Sequence, residues 1–296
     1  MSLLFYLYGM TDINRFGKYR GFWRIRKIIQ NNIFTRNKYY RIPYLGHSVY
    51  VCPNHFMERK IFEVGIYEPA VIRSIQTFVK NGYSFIDIGA NIGLHSLAAA
   101  FARVNNDQVF VSFEPNHDMF MILEKNCAGN RLKFVECREE GIGGTDACLS
   151  LHVPITNNKG KSSFLPLENT IPSHLIKVST LDTLFFNDEK LASKNVLIKI
   201  DTEGYELPII RGGNRWLSRI ENSAIICEVS PSMMKQNGMM ADDLFTVLKG
   251  YGFDQYAIYK DEETAKDLST NSDQYNAIFY KGAFTKKLFS SIESEI

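Results

Sequence analysis

The sequence lacks several of the patterns by which common protein classes are recognised. Its five cysteines are odd in number and never form a C-x-x-C pair, which argues against a disulfide framework and a zinc cage. No uncharged apolar run approaches the roughly 18 residues that cross a bilayer. The apolar residues 2–9 have no basic region before them and no small-residue cleavage site after them. We therefore expect neither a signal peptide nor an integral membrane protein, and a reducing compartment, the cytoplasm, is the simpler expectation.

The composition is that of an ordinary folded protein. The chain has 296 residues, of which 45% are hydrophobic and 22% charged, and this excludes a disordered, collagenous or coiled-coil chain. One large α/β domain with additions fits this length, as do two small domains. The patterns below favour a basic aromatic N-terminal extension over residues 1–60 and a main domain over residues 61–296.

The near-neutral total charge of +2 hides a basic stretch near the N-terminus. Residues 11–45 carry nine basic side chains and one acidic side chain. Within the stretch Phe22, Ile25 and Ile29 recur at helical spacing, which predicts an amphipathic helix. Such a helix could lie on an anionic membrane surface or pack on the main domain or a partner subunit. Nucleic acid is the weakest alternative, since the remaining residues are net acidic.

From residue 61 onward, short β-rich runs alternate with helical patterns, which is typical of a parallel sheet covered by helices. Seven strands are predicted: Phe85–Ile88, Val109–Phe113, Lys133–Cys137, Val196–Ile200, Ala224–Val229, Tyr256–Tyr259 and Asn276–Tyr280. Five helices are predicted: Glu68–Lys80, Leu94–Arg103, His117–Asn126, Glu206–Trp216 and Ala241–Lys249. The last two strands are expected to form an antiparallel hairpin, because no helical pattern separates them. An insertion over residues 149–178 is predicted to form extended segments around a turn.

The segment FIDIGANIG, Phe85–Gly93, reads as an apolar strand that ends in a glycine-rich turn before a helix. Gly89 and Gly93 allow a tight turn and a close backbone approach to a ligand at the N-terminus of the helix. The segment is neither a G-x-G-x-x-G fingerprint nor a P-loop. The next strand ends in an acid, Glu114, which could accept hydrogen bonds from a ribose diol. Such an acid serves nicotinamide dinucleotides and S-adenosylmethionine alike.

Acidic side chains also lie at the carboxyl ends of the fourth and fifth predicted strands. In VLIKIDTEGYELP, strand alternation puts Lys199 and Asp201 on one face, and Glu203 continues that face. A buried lysine is costly unless it is paired, so we expect Lys199 to meet a carboxylate. The fifth strand ends in CEVSP, which brings Glu228 beside them. Together the three acids could deprotonate a hydroxyl, hold a divalent cation or grip polyol hydroxyls, although a purely structural ion pair is the alternative.

Five segments in order, DIGANIG, FEPN, STLDTL, KIDTEGYE and CEVSP, resemble the FkbM-type family of S-adenosylmethionine-dependent methyltransferases. The likeness runs from about Glu68 to Pro231. The family implies an α/β, Rossmann-like class I methyltransferase fold, with a seven-stranded, mostly parallel sheet in the order 3-2-1-4-5-7-6 and helices on both faces. It also implies O-methylation, usually of a hydroxyl on a sugar or polyketide.

The resemblance also assigns roles by position. It implies that the cofactor is lined by Glu68, Asp87, Gly89, Ala90, Asn91, Gly93, Glu114, Pro115 and Asn116. Glu68 could equally be a first-turn acid that the helix dipole favours. The adenine is expected near residues 138–141, where the match is poor. The candidate catalytic residues are Asp201, Glu203 and Glu228, with Asp201 the first choice as general base.

Other functional classes also fit parts of the sequence. The six histidines show no metal-ligand spacing, so a zinc site is not expected, whereas a divalent metal on the three acids is possible without being indicated. A nicotinamide-dependent oxidoreductase, a nucleic-acid methyltransferase and a non-catalytic binding protein are the competing classes. We expect a glycan or other small-molecule acceptor, no nucleic acid, and leave a homo-oligomer open. His95 and His117 are expected to be mainly structural, whereas Asp182 is as much a candidate functional group as a helix-start acid.

Overall fold

The computed structural model describes residues 38–155, 162–166, 169–191, 195–259 and 274–290. The chain divides into two compact units, residues 1–67 and residues 68–296. Most of the predicted basic helix, in residues 11–45, lies outside the described residues. Among the residues that the structure describes, no helix is long and apolar enough to cross a membrane.

The described residues form twelve strands and ten helices, numbered in chain order. The strands are β1 Tyr40–Tyr44, β2 His47–Val51, β3 Ser84–Ile88, β4 Phe110–Phe113, β5 Val135–Arg138, β6 Gly141–Ile142, β7 Ala147–Pro154, β8 Thr170–Ser179, β9 Val196–Ile200, β10 Ser223–Val229, β11 Gln255–Ile258 and β12 Tyr275–Lys281. The helices are α1 Phe56–Val64, α2 Pro69–Lys80, α3 Leu94–Phe101, α4 His117–Gly129, α5 Leu181–Phe185, α6 Glu206–Arg211, α7 Asn214–Arg219, α8 Pro231–Gln236, α9 Ala241–Gly250 and α10 Ala283–Ser290.

In the first unit, β1 and β2 form an antiparallel hairpin that precedes α1. The hairpin turn is Leu45–Gly46, and both residues have positive φ, as a two-residue hairpin turn requires. Glu58 of α1 accepts a hydrogen bond from the backbone N–H of Cys52 and is paired with His55. This carboxylate ties the start of the helix to the end of β2.

The second unit is built on a seven-stranded sheet in the order β5-β4-β3-β9-β10-β12-β11. The first five strands in this order, from β5 through β4, β3 and β9 to β10, run parallel to one another. Strand β12 runs antiparallel to both of its neighbours. When only the seven strands of this sheet are numbered in chain order, their spatial order is the predicted 3-2-1-4-5-7-6. The class I methyltransferase fold is therefore confirmed. The predicted antiparallel hairpin at one edge is β11–β12.

The central strands β3 and β9 are buried over their whole length, and most of their residues are therefore apolar on both faces. Ser84, Asp87 and Lys199 are the buried polar residues in them. Residues of β3, β9 and β10 pack with α6, α7 and α9 in one core that includes Trp216 and Phe279. The last residues of β3, β4, β9 and β10, which are Ile88, Phe113, Ile200 and Val229, are all buried in this core. The carboxyl ends of β3, β4, β9 and β10 are therefore rigid supports for the polar residues that follow them.

The prediction of one helix over Glu206–Trp216 was wrong, because two short helices, α6 and α7, occupy that range. The break lies at Gly212 and Gly213. A side chain at Gly212 would run into the carbonyl oxygen of Gly143, and one at Gly213 would come within 2.9 Å of Leu181 and Leu217. The glycine pair lets the helix change direction against a closely packed loop, at the cost of helix propensity.

The insertion forms a separate three-stranded sheet in the order β6-β8-β7. Strands β7 and β8 are antiparallel, with an irregularity in the pairing between Ser150 and His152. Residues 162–166 return to this sheet through one antiparallel bridge, Ser163 with His152. The prediction of extended segments is confirmed, and the turn segment 162–166 lies beside the carboxyl ends of the main strands, as described below.

Candidate active site

The turn after β3 is held against the two neighbouring strands. The backbone N–H groups of Gly89 and Ala90 both donate to the carbonyl oxygen of Phe113, at 3.0 and 2.9 Å. Gly89 has a φ of +81°, and a side chain there would fall on the carbonyl oxygen of Asp201. Gly93 has a φ of +90°, and a Cβ there would lie 2.6 Å from Leu123. Contacts within the protein therefore require both glycines, in addition to any ligand that approaches the turn.

Glu114, at the end of β4, is buried and faces this turn. Its two carboxylate oxygens accept hydrogen bonds from the backbone N–H of Asn91, at 2.7 Å, and of Asn116, at 2.8 Å. Burial raises the pKa of Glu114 to about 7, although the two N–H donors act in the opposite direction. The acid predicted to hold a ribose thus lies against the glycine turn, where burial disfavours its ionised form.

Two polar atoms in this turn have no hydrogen-bond partner among the described residues. They are Oδ1 of Asp87 and Oδ1 of Asn91, and both are buried. The other oxygen of Asp87 accepts from the hydroxyl of Ser96 at 2.5 Å. Burial raises the pKa of Asp87. Buried acceptors are normally satisfied, so these two oxygens offer places for the N–H or O–H groups of a ligand.

A network of buried polar groups connects the first helix of this unit with the middle of the sheet. Glu68, the N-cap of α2, lies 3.1 Å from Nε2 of His95 and accepts from the side-chain amide of Asn276 at 2.9 Å. Nζ of Lys199 donates to Oδ1 of Asn276 at 3.4 Å and to Oδ2 of Asp201 at 3.3 Å. The expected pairing of Lys199 with a carboxylate is confirmed, and Asn276 is an additional partner that was not predicted.

The charges of this network act strongly on one another because water is excluded from it. Burial alone would raise the pKa of Glu68, but the hydrogen bond with His95 and the charge of Lys199 lower it to about 2. The pKa of Lys199 is raised, since the nearby carboxylates of Asp201, Glu68 and Glu228 outweigh the effect of its burial. Lys199 is therefore a permanent cation at the centre of an acidic edge.

Asp201, Glu203 and Glu228 converge, as the strand pattern predicts. Each contributes a carboxylate oxygen, and the three oxygens lie within 4.8 Å of one another. The side-chain amide of Gln274 donates to Glu228 at 3.0 Å and to Glu203 at 3.3 Å. Burial and the two neighbouring carboxylates raise the pKa of Glu228 well above its usual range. The cluster of three acids can accept a proton from a hydroxyl or bind several hydroxyls at once.

The remaining sequence candidates lie elsewhere or have structural partners. His117 pairs with Glu139 at 2.9 Å in a largely exposed position. Asp182 accepts from the backbone N–H of Arg215 and Trp216 and so caps α7, which makes it a helix-start acid. Glu140, in the segment expected near the adenine, binds Ser179 and Lys177 of the small sheet instead.

Gln274 and Asn276 are the site residues that sequence reasoning missed. Both belong to the end of the chain, about 45 residues beyond CEVSP, and lie in or just before β12, whose Asn276 pairs in register with Glu228. A polar residue in the otherwise apolar run YNAIFY was the available signal for Asn276. Gln274 follows residues that the structure does not describe, and its sequence gave no signal.

Comparison with known proteins identifies the family. A sequence model of the family described as the methyltransferase FkbM domain matches residues 87–254. No curated protein matches the chain. Among solved structures, methyltransferase FkbM from Methylobacillus flagellatus KT is 17% identical with a TM-score of 0.42, and the match covers 74% of this chain and 46% of that one.

Two further solved methyltransferases are similarly distant. Precorrin-6y C5,15-methyltransferase from Geobacter metallireducens GS-15 is 13% identical with a TM-score of 0.39, over 73% of this chain and 90% of that one. The tRNA (uracil-54, C5)-methyltransferase of Pyrococcus abyssi, in complex with S-adenosyl-L-homocysteine, is 9% identical with a TM-score of 0.41, over 82% and 44%. The family match itself takes in more than half of this chain, from Asp87 past the acids after β9 and β10, and on that ground the protein belongs to the FkbM methyltransferase family.

Proposed function

We propose that this methyltransferase uses S-adenosylmethionine and transfers the methyl group to a hydroxyl of a sugar or a similar polyhydroxylated acceptor. The observation that carries the proposal is the excess of carboxylates at the carboxyl ends of the strands. The charges of Asp201, Glu68 and Glu228 act on Lys199, and Asp87 lies within reach of the charges of His95 and Lys199. Glu114 and Glu203 adjoin these acids. An edge with this surplus of negative charge favours a cationic ligand, and S-adenosylmethionine carries a sulfonium and an ammonium group.

The residues of the glycine turn fit this cofactor. Glu114 would accept the hydroxyls of its ribose, and the partnerless oxygens of Asp87 and Asn91 would accept the N–H groups of its amino-acid end. Ala90, Pro115 and Asn116 would contribute backbone and side-chain contacts around them. The glycine-rich turn of a nicotinamide dinucleotide site has a different spacing, which favours S-adenosylmethionine over NAD.

The acids after β9 and β10 would bind the acceptor and remove its proton. S-Adenosylmethionine, when bound, would supply the methyl group: an acceptor oxygen would form a bond to the methyl carbon as the bond from that carbon to sulfur breaks, and S-adenosylhomocysteine would leave with the electron pair. Asp201 is the proposed base: its carboxylate takes the hydroxyl proton as the new O–C bond forms, and Lys199 at 3.3 Å compensates its charge. Glu203, Glu228 and the amide of Gln274 would hold further hydroxyls of the acceptor, as a polyol requires.

Calorimetric titration with S-adenosylmethionine, S-adenosylhomocysteine and NAD tests the cofactor assignment. We expect micromolar binding of the two sulfur compounds, no binding of NAD, and loss of binding in Glu114→Ala, because the ribose loses its carboxylate. Asp254→Ala is the matched control, since Asp254 is an exposed acid paired with Lys286 at 3.0 Å, just before β11. Binding of NAD in place of the sulfur compounds, or equal binding by Glu114→Ala, would contradict the assignment.

Asp201→Asn tests the base, given a panel of simple sugars and glycans as acceptors with radiolabelled S-adenosylmethionine. We expect loss of methyl transfer with unchanged cofactor affinity, because the amide cannot take the proton while the glycine turn is intact. Unimpaired transfer by this variant would exclude Asp201 as the base.

The basic residues near the N-terminus concern the location of the acceptor and not the methyl transfer itself. We propose that residues 11–45 bring a cytoplasmic protein to an anionic membrane surface that presents a lipid-linked acceptor, since nine basic side chains accompany the predicted amphipathic helix. Charge reversal at Arg20, Arg24 and Lys27 should abolish sedimentation with vesicles of phosphatidylglycerol at low salt. Unchanged sedimentation would remove this part of the proposal and leave the methyl transfer untouched.

A further inference from the structure

The loop that carries Glu203 has an unusual backbone. Glu203 has a φ of +54°, in the left-handed region that side chains other than glycine rarely adopt, and Gly204 follows with a φ of +94°. Strain of this kind persists only where the surroundings enforce it. Glu203 belongs to the acid cluster, so the enforced conformation decides where one of the three carboxylates lies.

One side of the loop is held by a single buried carboxylate oxygen. Oε1 of Glu206, in the first turn of α6, accepts hydrogen bonds from the backbone N–H of Thr202 at 3.2 Å and of Gly204 at 3.0 Å. It also accepts from the hydroxyl of Thr202 at 3.0 Å. Glu206 is 1% exposed, and its second oxygen has no hydrogen-bond partner among the described residues. The carboxylate thus binds the residues on both sides of Glu203.

The other side of the loop is held from the insertion. The buried hydroxyl of Ser163 lies 3.2 Å from the carbonyl oxygen of Glu203 and 3.3 Å from that of Thr202, so it donates to this pair of carbonyls. The neighbouring Ser162 accepts a hydrogen bond from the side chain of Asn116, two residues after Glu114. Residues 162–166 therefore join the proposed acceptor acids to the proposed ribose side of the site.

We propose that Glu206 and Ser163 are positioning residues that hold the loop Thr202–Gly204, Glu206 through the N–H groups of the loop and Ser163 through its carbonyl groups. Together they clamp the loop and so fix the Glu203 carboxylate beside Glu228. This inference deepens the proposed function and rests on it for the role of Glu203. Neither residue needs to touch the acceptor or the cofactor. Glu206 fixes the N–H groups of the loop and Ser163 its carbonyl groups, which leaves the side chain of Glu203 as the part that reaches Gln274.

The test compares two readouts in the full-length protein by NMR. The first is the hydrogen exchange of the amides of Thr202 and Gly204, and the second is the position of the side-chain carboxyl ¹³C resonances of Glu203 and Glu228. In Glu206→Ala we expect exchange about tenfold faster or more, because each amide loses its hydrogen-bond acceptor. We also expect both carboxyl resonances to move, because the strained backbone relaxes.

Three further variants separate positioning from mere stabilisation. Glu206→Gln keeps an oxygen acceptor and should restore wild-type exchange and resonances. Asp182→Ala removes a carboxylate that also binds two backbone amides, those of Arg215 and Trp216, but caps α7 outside the site. It should lower the melting temperature and leave the two glutamate resonances unchanged. Ser163→Ala removes only a hydroxyl and serves as the test if Glu206→Ala does not fold; the resonance of Glu203 should move.

The clamp is wrong if Glu206→Ala lowers the melting temperature as Asp182→Ala does while the resonances of Glu203 and Glu228 stay in place. It is also wrong if Ser163→Ala leaves the resonance of Glu203 unmoved. Neither readout requires cofactor or acceptor. Absence of S-adenosylmethionine binding in calorimetry, together with moved resonances, would therefore overturn the proposed function and keep the clamp as a fact of the loop.

Discussion

Two buried lysines lie at opposite edges of the main sheet and have opposite surroundings. Lys199, near the carboxyl end of β9, is surrounded by Asp201, Glu68 and Glu228, and its pKa is raised. Lys281, at the end of β12 beside the amino end of β10, donates to the carbonyl oxygens of Leu217, Ser218 and Tyr251. Burial lowers the pKa of Lys281 to about 8.

The difference separates a structural edge of the sheet from the edge at which we propose the active site. At Lys281 a cation satisfies carbonyls at the ends of helices, and each partner is a neutral backbone group. At Lys199 a single cation faces the carboxylates of Asp201, Glu68 and Glu228. Burial, and after it the charge of neighbouring carboxylates, raises the pKa values of Asp87, Glu114 and Glu228 at the same edge. Uncompensated buried charge costs stability, so its concentration at one edge is best explained by a ligand of opposite charge.

Replacement of the two lysines by methionine should give the largest difference. Lys199→Met leaves several buried carboxylates without their cation, and we expect it to lower the free energy of unfolding by about 3–5 kcal/mol. Lys281→Met leaves carbonyl groups unsatisfied, with an expected loss of about 1–3 kcal/mol. Urea unfolding at neutral pH measures both values.

The double variant Lys199→Met/Asp201→Asn sharpens this prediction, because removal of one carboxylate together with its cation should recover part of the loss. Equal losses of unfolding free energy in the two single variants, or no recovery in the double variant, would mean that Lys199 does not stabilise the neighbouring carboxylates more than Lys281 stabilises its carbonyl groups.

The second prediction concerns Glu68, whose pKa of about 2 lies below the ordinary value of 4.5. An acid whose pKa is lowered by folding stabilises the protein above its unfolded pKa, and this contribution disappears as the pH falls from 4.5 towards 2. We expect Glu68→Gln to lose about 1–3 kcal/mol of unfolding free energy near neutral pH. The deficit relative to wild type should shrink when urea unfolding is repeated at about pH 3.5. A deficit that is independent of pH would assign Glu68 a role without charge.

The fold could be predicted from the sequence because its signals are local and repeated. Three of the parallel strands, β3, β4 and β9, are mainly apolar and are followed by Gly89, Glu114 and Asp201. The predicted strand Val196–Ile200 has the same bounds as β9 in the structure. The acids Asp201, Glu203 and Glu228 could be assembled in advance for the same reason, since the carboxyl ends of parallel strands meet at one edge.

The rest of the site could not be predicted because it depends on distant or backbone contacts. Asn276 joins Glu68 across 208 positions of sequence, and nothing in either segment indicates the other. Glu206 lies in a predicted helix start, where an acid is normally explained by the helix dipole alone. Only the structure shows that its oxygen turns back to the loop that carries Glu203.

The third prediction uses Glu114, whose pKa of about 7 lies above the ordinary value of 4.5. An acid whose pKa is raised by folding destabilises the protein progressively as the pH rises from 4.5 to 7, because the unfolded chain ionises first. We expect Glu114→Gln to remove a pH-dependent loss of about 1–2 kcal/mol in this window, as measured by urea unfolding at several pH values.

The raised pKa of Glu114 should also be visible as a change of protonation when the cofactor binds. Ribose hydroxyls bind the ionised carboxylate, so S-adenosylmethionine should release a proton on binding near pH 6, measurable by calorimetry in buffers of different ionisation enthalpy. Release of the same number of protons by Glu114→Gln would assign the titration to another acid, with Asp87 and Glu228 as the next candidates.

The smallest effect is expected away from the acidic edge, at Asp182. This carboxylate caps α7 through the backbone N–H of Arg215 at 3.1 Å and of Trp216 at 2.7 Å, and both of these hydrogen bonds lie outside the glycine turn and the acid cluster. Asp182→Asn keeps an oxygen acceptor, so it should lower the free energy of unfolding by only about 0.5–1 kcal/mol. Because the carboxylates around Lys199 are unaffected, the affinity for S-adenosylmethionine should equal that of the wild type. A weaker affinity in this variant would mean that the charge of the acidic edge depends on the packing of α7, and the two edges of the sheet would then have to be treated as one electrostatic unit.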